Sequence, residues 1–184
     1  RIYNNTFYGN KAGAAGLGRV ALWKKEGQEM SSYTNEFLNN IALDNQAGRY
    51  NKSWMVARLV KDVSNNLPKF SKAYTPPPYA ENVSDHNVFY LSPGNPSAGN
   101  DFFTIGGRTP EFNIYQANSG LDTHSVWGDP KFVDAPGGNF RLEPGSAAIG
   151  IGSDAVLKYA PKDRDGNPRP PGRVDAGAYQ SLPK

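Results

Sequence analysis

The chain has 184 residues, including 20 Gly and 15 Pro, and carries a formal net charge of +3. This mild charge is far from the dense basic stripe of a nucleic-acid-binding protein, and no apolar run reaches the roughly 20 residues needed to span a bilayer. The chain has no Cys, so disulfides and thiolate metal sites are excluded. We therefore expect one domain of short strands and tight turns, with neither nucleic acid nor a membrane span.

Two strand-like phrases alternate along the chain. The first places one or two Asn or Asp before an apolar run, and the second is a nearly continuous apolar run. Both series advance by about 36 residues and then by about 46. Because two strand types recur in a fixed order, the sequence predicts an all-β solenoid. In chain order, the six runs lie at 4–8, 18–23, 39–43, 54–60, 85–90 and 101–105.

The predicted strands are joined by turns and by one long loop. That loop spans 62–81 and contains three consecutive prolines, so it cannot be a central strand. Pro110 opens a predicted short helix over 110–118. The Asn residues that precede the first phrase are expected to adopt the left-handed conformation and to bond their neighbours one coil away. The strands are predicted at 18–25, 35–43, 53–61, 82–91, 101–106 and 126–133, with 1–10 as the end of an earlier coil.

From residue 129 the sequence changes to short turn and packing motifs that resemble the C-terminal part of secreted bacterial right-handed parallel β-helix proteins. The resemblance implies a right-handed parallel β-helix of about three to four coils in 1–134 and a C-terminal coil with a capping segment of the same domain in 135–184. It also implies a secreted or cell-surface protein. The motifs are Asp129-Pro130-Lys131-Phe132-Val133-Asp134, Phe140-Arg141-Leu142, Asp163-Arg164-Asp165-Gly166 and Val174-Asp175-Ala176-Gly177-Ala178-Tyr179.

Proteins of that group mostly act on polysaccharides, as lyases, epimerases or glycoside hydrolases, whereas others bind glycans or form adhesive shafts. The resemblance implies the C-terminal portion of a polysaccharide-active protein that binds an acidic, plant or algal polysaccharide. If it is an enzyme, it is expected to be a polysaccharide lyase or a glycoside hydrolase. The alternative is a non-catalytic structural, adhesive or glycan-binding segment that associates with another chain or with coils that precede Arg1.

A lyase acting on uronic acids needs a cation at the sugar carboxylate, a base for the C5 proton and a proton donor for the leaving oxygen. Lys24 and Arg58 fall at similar points of the repeat, and one cation beside another has a lowered pKa and can serve as a base. His86 is the third catalytic candidate, because histidine accepts protons near neutral pH. The structural alternative is solvated charge at strand ends and a histidine held by loop hydrogen bonds. For a glycosidase, the available carboxylates are Glu36, Asp44, Asp85 and Asp101, and the sequence selects no pair.

Two tryptophans are candidates for a sugar-binding platform, because an indole offers flat apolar area with a polar edge. Trp23 and Trp54 each neighbour lysines, which favours exposure, and Lys25 and Lys61 are the accompanying cationic candidates. The alternative for both tryptophans is packing in the core.

The only candidate cofactor is calcium. Asp163, Asp165 and Asn167 alternate like the first ligands of a calcium loop, and calcium prefers such oxygen ligands. The alternative is a turn in which an Asp side chain accepts bonds from backbone N–H groups.

Overall fold

The computed structural model describes residues 1–10, 36–45, 83–94, 112–119 and 121–181. Four of the predicted elements lie outside these residues, namely the strands at 18–25, 53–61 and 101–106 and the loop at 62–81.

The described residues form short strands and one α-helix. The helix α1, Phe112–Ser119, confirms the predicted helix and begins two residues later than expected. None of the described helices is long and apolar enough to cross a membrane. Among the described residues, a 3₁₀ turn lies at Asp154–Val156. The strands are β1 (Ile2–Tyr3), β2 (Thr6–Tyr8), β3 (Glu36–Leu38), β4 (Ile41–Leu43), β5 (Val83–Asp85), β6 (Val88–Tyr90), β7 (Val126–Trp127), β8 (Phe132–Asp134) and β9 (Asn139–Leu142).

Seven of these strands pair in two parallel sheets. The first sheet has the order β1-β3-β5 and the second the order β2-β4-β6-β7. In the first sheet Leu38 lies between Tyr3 and Asp85, and in the second Ile41 pairs with Val88. Strands β8 and β9 form a separate antiparallel pair. Successive strands of the repeat therefore lie side by side in register.

The predicted right-handed parallel β-helix of three to four coils is nevertheless wrong, because neither parallel sheet closes into a solenoid. The structure supports a β-rich fold with parallel sheets and few helices. Segments 35–43 and 82–91, each predicted as one strand, are both broken in two by a left-handed residue, Asn39 (φ 57°) or His86 (φ 57°). The chain bends at these residues, so each half pairs in its own sheet.

The predicted strand at 126–133 is also divided. Strand β7 ends at Trp127 and β8 begins at Phe132, with Lys131 in the left-handed region between them (φ 43°). Only β7 joins the parallel sheet, whereas β8 turns back on β9. The turn motif at 128–131 therefore ends the parallel arrangement instead of continuing it.

A row of asparagines links the strands at the bend, which confirms the predicted bonding, but the left-handed conformation falls on the residue before each of them. The backbone N–H of Asn5 donates to Oδ1 of Asn40 at 2.9 Å, and the N–H of Asn40 donates to Oδ1 of Asn87 at 2.8 Å. The row ends at Ser125, whose Oγ accepts from the N–H of Asn87 at 2.8 Å. The residue before each asparagine, such as Asn4 (φ 53°), adopts the left-handed conformation.

The C-terminal segment packs against both sheets through two apolar clusters. One joins Ile41 and Val88 to small residues of that segment, Ala148 and Ala176. The other joins Leu38 to Val156 and Val174. Fully burying a side chain of this size contributes roughly 1.5–3 kcal/mol, so these contacts hold the segment on the sheets.

Polar contacts from the left-handed residues of the bend reinforce this packing. Asn39 bonds Ser153 twice, from Nδ2 to the carbonyl at 3.0 Å and from the Ser153 N–H to Oδ1 at 2.9 Å. His86 Nδ1 lies 2.7 Å from the carbonyl oxygen of Ile151. Asn4 donates from Nδ2 to the carbonyl of Asp175 at 3.0 Å. The bend and the C-terminal segment thus position the side chains described next.

Candidate functional site

Most of the predicted site residues lie outside the described part of the chain, and their roles stay predictions. His86 and the loop of Asp163, Asp165 and Asn167 are described. The residues outside are Trp23, Lys24, Lys25, Trp54, Arg58 and Lys61.

The loop predicted as a calcium site has the geometry of the alternative turn. Oδ1 of Asp163 accepts the backbone N–H groups of Asp165 and Asn167, at 2.9 and 2.8 Å. Oδ2 accepts the Asn167 side chain at 3.1 Å and the Gln180 N–H at 2.9 Å. Both carboxylate oxygens therefore face N–H donors, and calcium binding here stays a prediction that this geometry does not favour.

The remaining carboxylate of that loop is also paired. Nη2 of Arg141 donates to both oxygens of Asp165, at 2.8 and 2.7 Å, and Nε donates to Oδ2 at 2.9 Å. The Arg141 guanidinium also lies over the ring of Tyr179, 4.8 Å from its centroid. Asp165 thus holds the β9 strand against the loop.

Burial by itself would raise the pKa of Asp163. The hydrogen bonds from Gln180, Asn167 and Asp165 outweigh burial, because they stabilise the charged form. The pKa of Asp163 is therefore below its ordinary value of 3.8.

His86 belongs to a second polar group, which it shares with Asp85 and His124. His86 occupies the left-handed position that Asn4 and Asn39 occupy on the neighbouring strands. Because a carbonyl oxygen can only accept, the 2.7 Å contact with Ile151 assigns the proton of His86 to Nδ1. The other ring nitrogen, Nε2, lies 3.9 Å from Oδ2 of Asp85.

His124 reaches the same carboxylate from the segment before β7. Its Nδ1 lies 2.6 Å from Oδ2 of Asp85, and its backbone N–H donates to Oδ1 at 2.7 Å. In this segment the chain runs from the left-handed residue Asp122 to Val126, which pairs with Val88. In the preceding segment it runs only from the left-handed residue His86 to Val88, which is shorter. The extra length carries His124 outward over Asp85.

Asp85 is held in its charged form by these neighbours. Burial alone would raise its pKa, but hydrogen bonds from the His124 side chain and from the backbones of His124 and His86, with a smaller electrostatic contribution from His86, outweigh burial and lower the pKa below 3.8. Both backbone bonds go to Oδ1, so Oδ2 is the oxygen presented to the two imidazoles. The three side chains can bind a cation or move a proton between an imidazole and solvent.

A cavity of about 420 Å³ opens where the first strands of both sheets meet the C-terminal segment. Tyr3 and Phe140 supply aromatic surface in its wall, and Lys162 and Arg164 supply exposed positive charge. Asn4 also lines the cavity. Asn4 lies two strands from the equivalent residue His86, so the cavity and the histidine group are roughly 10 Å apart along the bend.

Two buried side chains in the cavity wall each hold a polar atom without a hydrogen-bond partner among the described residues. They are Arg169 at Nε and Asn4 at Oδ1. The other nitrogens of Arg169 donate to the carbonyls of Asp175 and Gly177, at 3.1 and 2.8 Å. Burial lowers the pKa of Arg169, while the charges of Asp163 and Asp175 raise it, and the balance is a lowered pKa.

Beside the cavity, an exposed tyrosine is surrounded by cations. The ring of Tyr159 is 5.6 Å from that of Tyr3, centroid to centroid. The guanidinium carbon of Arg1 lies 4.6 Å and Nζ of Lys158 lies 4.7 Å from the centroid of Tyr159. Tyr159 is 45% exposed, so a partner can reach this aromatic and cationic surface.

Sequence reasoning missed most of this arrangement. His86 was predicted as a catalytic candidate, whereas no site role was predicted for His124, Tyr3 or Tyr159, and Asp85 was one of four carboxylates among which the sequence selected no pair. The spacing of the repeat brings strand residues into register, but the longer turn before Val126 decides that His124 meets Asp85. One sequence feature could have indicated the site: His86 stands where the two earlier phrases have an asparagine, at Asn4 and Asn39.

Comparison with known proteins gives no relative. The chain matches no protein-family model, no curated protein and no solved structure.

Proposed function

We propose that this chain is part of a secreted polysaccharide-active protein and binds an acidic polysaccharide at the cavity beside Tyr3. The observation that carries the proposal is the combination of Lys162 and Arg164 with the aromatic rings of Tyr3 and Phe140 around one cavity. The resemblance of the C-terminal motifs to β-helix proteins suggested the same ligand class.

The chemistry of an acidic sugar fits this surface in two ways. The apolar face of a pyranose ring packs on an aromatic ring, while its hydroxyls need donors and acceptors at the edge. A uronate or sulfate group needs a cation, which Lys162 and Arg164 supply on the cavity and Lys158 supplies beside Tyr159, whereas Arg1 is already paired with Glu36 at 3.2 Å.

Binding of an oligouronate is the direct test. We expect titration calorimetry with a galacturonate or alginate oligomer to show saturable binding that weakens as salt is added, because exposed charges are screened. The double variant Lys162→Gln with Arg164→Gln should bind at least about tenfold more weakly, since removing two charge contacts of roughly 0.7 kcal/mol each corresponds to a factor of ten.

Arg173→Gln is the matched control, because Arg173 is an exposed cation of the same segment that does not line the cavity. Its affinity should stay within about twofold of the parent, as expected for a charge outside the site. Equal binding of a neutral oligosaccharide of the same length, or equal loss in the control, would contradict the proposal.

Cleavage is a separate question from binding. A polysaccharide lyase would release unsaturated uronides, which absorb in the ultraviolet, and a hydrolase would release reducing ends without that absorbance. Binding without either product would favour the glycan-binding alternative over an enzyme.

A further inference from the structure

We propose that Asp85, His86 and His124 together bind one divalent transition-metal ion of the zinc class. The candidate ligand atoms of these three side chains all lie within 4.8 Å of one another. This site is independent of the proposed glycan binding, because no cavity-lining residue belongs to it.

The carboxylate is already oriented for a ligand role. Oδ1 of Asp85 accepts the backbone N–H groups of His86 and His124, at 2.9 and 2.7 Å. These two bonds fix the plane of the carboxylate and leave Oδ2 facing both imidazoles. Ligand carboxylates and imidazoles in metal sites are generally held by such outer hydrogen bonds.

His86 has the outer contact that metal-binding histidines usually have. Its Nδ1 donates to the carbonyl of Ile151 at 2.7 Å, which fixes the ring and places the lone pair on Nε2. Nε2 lies 3.9 Å from Oδ2 of Asp85. Nε2 of His86 and Oδ2 of Asp85 are thus the pre-positioned pair of ligand atoms.

His124 is the ligand that must move. Its ring stacks on that of His86, with centroids 5.0 Å apart and planes inclined by 9°. An ion lies in the plane of each imidazole that binds it, so two parallel stacked rings cannot both coordinate one ion. The side chain of His124 is 67% exposed, and its ring is therefore able to rotate without disturbing the core.

Besides this rotation, the ligand atoms have to come closer together. Tetrahedral ligands at 2.0–2.2 Å from zinc stand roughly 3.4 Å apart, so a group whose candidate atoms all lie within 4.8 Å of one another has no separation that must shorten by more than about 1.4 Å. Two imidazoles and one carboxylate suit zinc and its neighbours in the first transition series, whereas calcium and magnesium prefer oxygen ligands alone. Three protein ligands leave a position for water or another ligand.

The test is titration of the untagged, chelator-treated chain with zinc chloride, followed by calorimetry, and with cobalt chloride, followed by visible absorbance. We expect saturable binding with one ion per chain. Because the chain has only two histidines, imidazole resonances that shift on zinc binding belong to His86 or His124. His124 should show the larger change, since its ring leaves the stack.

Three ligand variants and one control sharpen the test. His86→Asn keeps a residue type that the neighbouring strands already use at this left-handed position, at Asn4 and Asn39. His124→Ala changes an exposed side chain, and Asp85→Asn removes the ligand charge. Each should weaken zinc binding at least about tenfold, as loss of metal-site contacts commonly does, whereas Glu143→Gln, an exposed acid elsewhere, should not.

Absence of saturable zinc binding would overturn the proposal, and so would unchanged affinity in both His86→Asn and His124→Ala. Circular dichroism of each variant separates loss of a ligand from loss of the fold. If His86→Asn unfolds, the exposed His124→Ala decides the outcome. A chain that binds the glycan but not zinc would contradict the metal site and support the proposed function. A chain that binds zinc but not the glycan would contradict the proposed function and support the metal site.

Discussion

The side chain of Asn87 lies directly between two neighbouring strands and bonds the main chain of Asn40 through its Oδ1, at 2.8 Å. Its Nδ2 donates to the carbonyl of Phe37 at 3.0 Å and to Oδ1 of Asp122 at 2.9 Å. Asn87 is fully buried, so one amide group completes the hydrogen bonding of three strands where the chain bends.

Replacing that amide should therefore be costly. Asn87→Ala leaves the buried N–H of Asn40 and the carbonyl of Phe37 without this partner, and we expect a loss of about 2–4 kcal/mol in the free energy of unfolding. Urea denaturation measures it. Asn5→Ala is the control, because Asn5 is exposed at the end of the same row and should cost only about 0.5–1 kcal/mol. Equal losses at the two positions would show that burial of the row does not matter.

Gly177 is expected to tolerate no side chain. Its φ is +87°, and an added Cβ would overlap the side chain of Ile41. Left-handed strain costs about 1–2 kcal/mol and overpacking a further 1–3, so Gly177→Ala should cost about 2–5 kcal/mol. Gly166→Ala isolates the strain, because Gly166 has φ +88° and open space around it. In thermal unfolding, the melting temperature of Gly177→Ala should be well below that of Gly166→Ala. The opposite order would contradict the contact between Gly177 and Ile41.

Asp163 should make the protein sensitive to acid. Its pKa is lower in the folded chain than its ordinary value of 3.8, so the stability it contributes is present above the unfolded pKa and is lost as pH falls through the folded pKa. We expect the unfolding free energy to decline below about pH 4. Asp163→Asn should cost about 1–3 kcal/mol at neutral pH and show a shallower acid decline. An unchanged slope in the variant would rule out this carboxylate as the cause.

The pair of Arg141 and Asp165 should contribute much less. Both side chains are substantially exposed, 51% and 35%, so solvent screens their attraction. A double-mutant cycle with Arg141→Gln and Asp165→Asn should give a coupling of about 0.2–1 kcal/mol that shrinks at high salt. A larger coupling that salt leaves unchanged would mean that the pair is effectively buried.

The asparagine row was predictable because it depends on local conformation, whereas the bend inside 35–43 and 82–91 was not predicted. Asparagine tolerates a left-handed backbone, as at Asn4 and Asn39, and an asparagine amide can bond the main chain of the next strand, as Asn40 and Asn87 do. Pro110 similarly indicated the start of the helix at 112–119. The repeat did not establish a solenoid, because two separate parallel sheets that do not close accommodate the same repeat.

The sequence by itself determined that the Asn-containing phrases at 4–8, 39–43 and 85–90 recur as strands, since this follows from residue type and spacing, but it did not predict the bends that divide 35–43 and 82–91. Only the tertiary structure decided that His124 meets Asp85 and that Tyr3 shares a cavity with Lys162, because each contact joins distant segments through a turn length or a packed apolar cluster. Such contacts depend on how the C-terminal segment packs against Leu38, Ile41 and Val88, and no local sequence pattern predicts that packing.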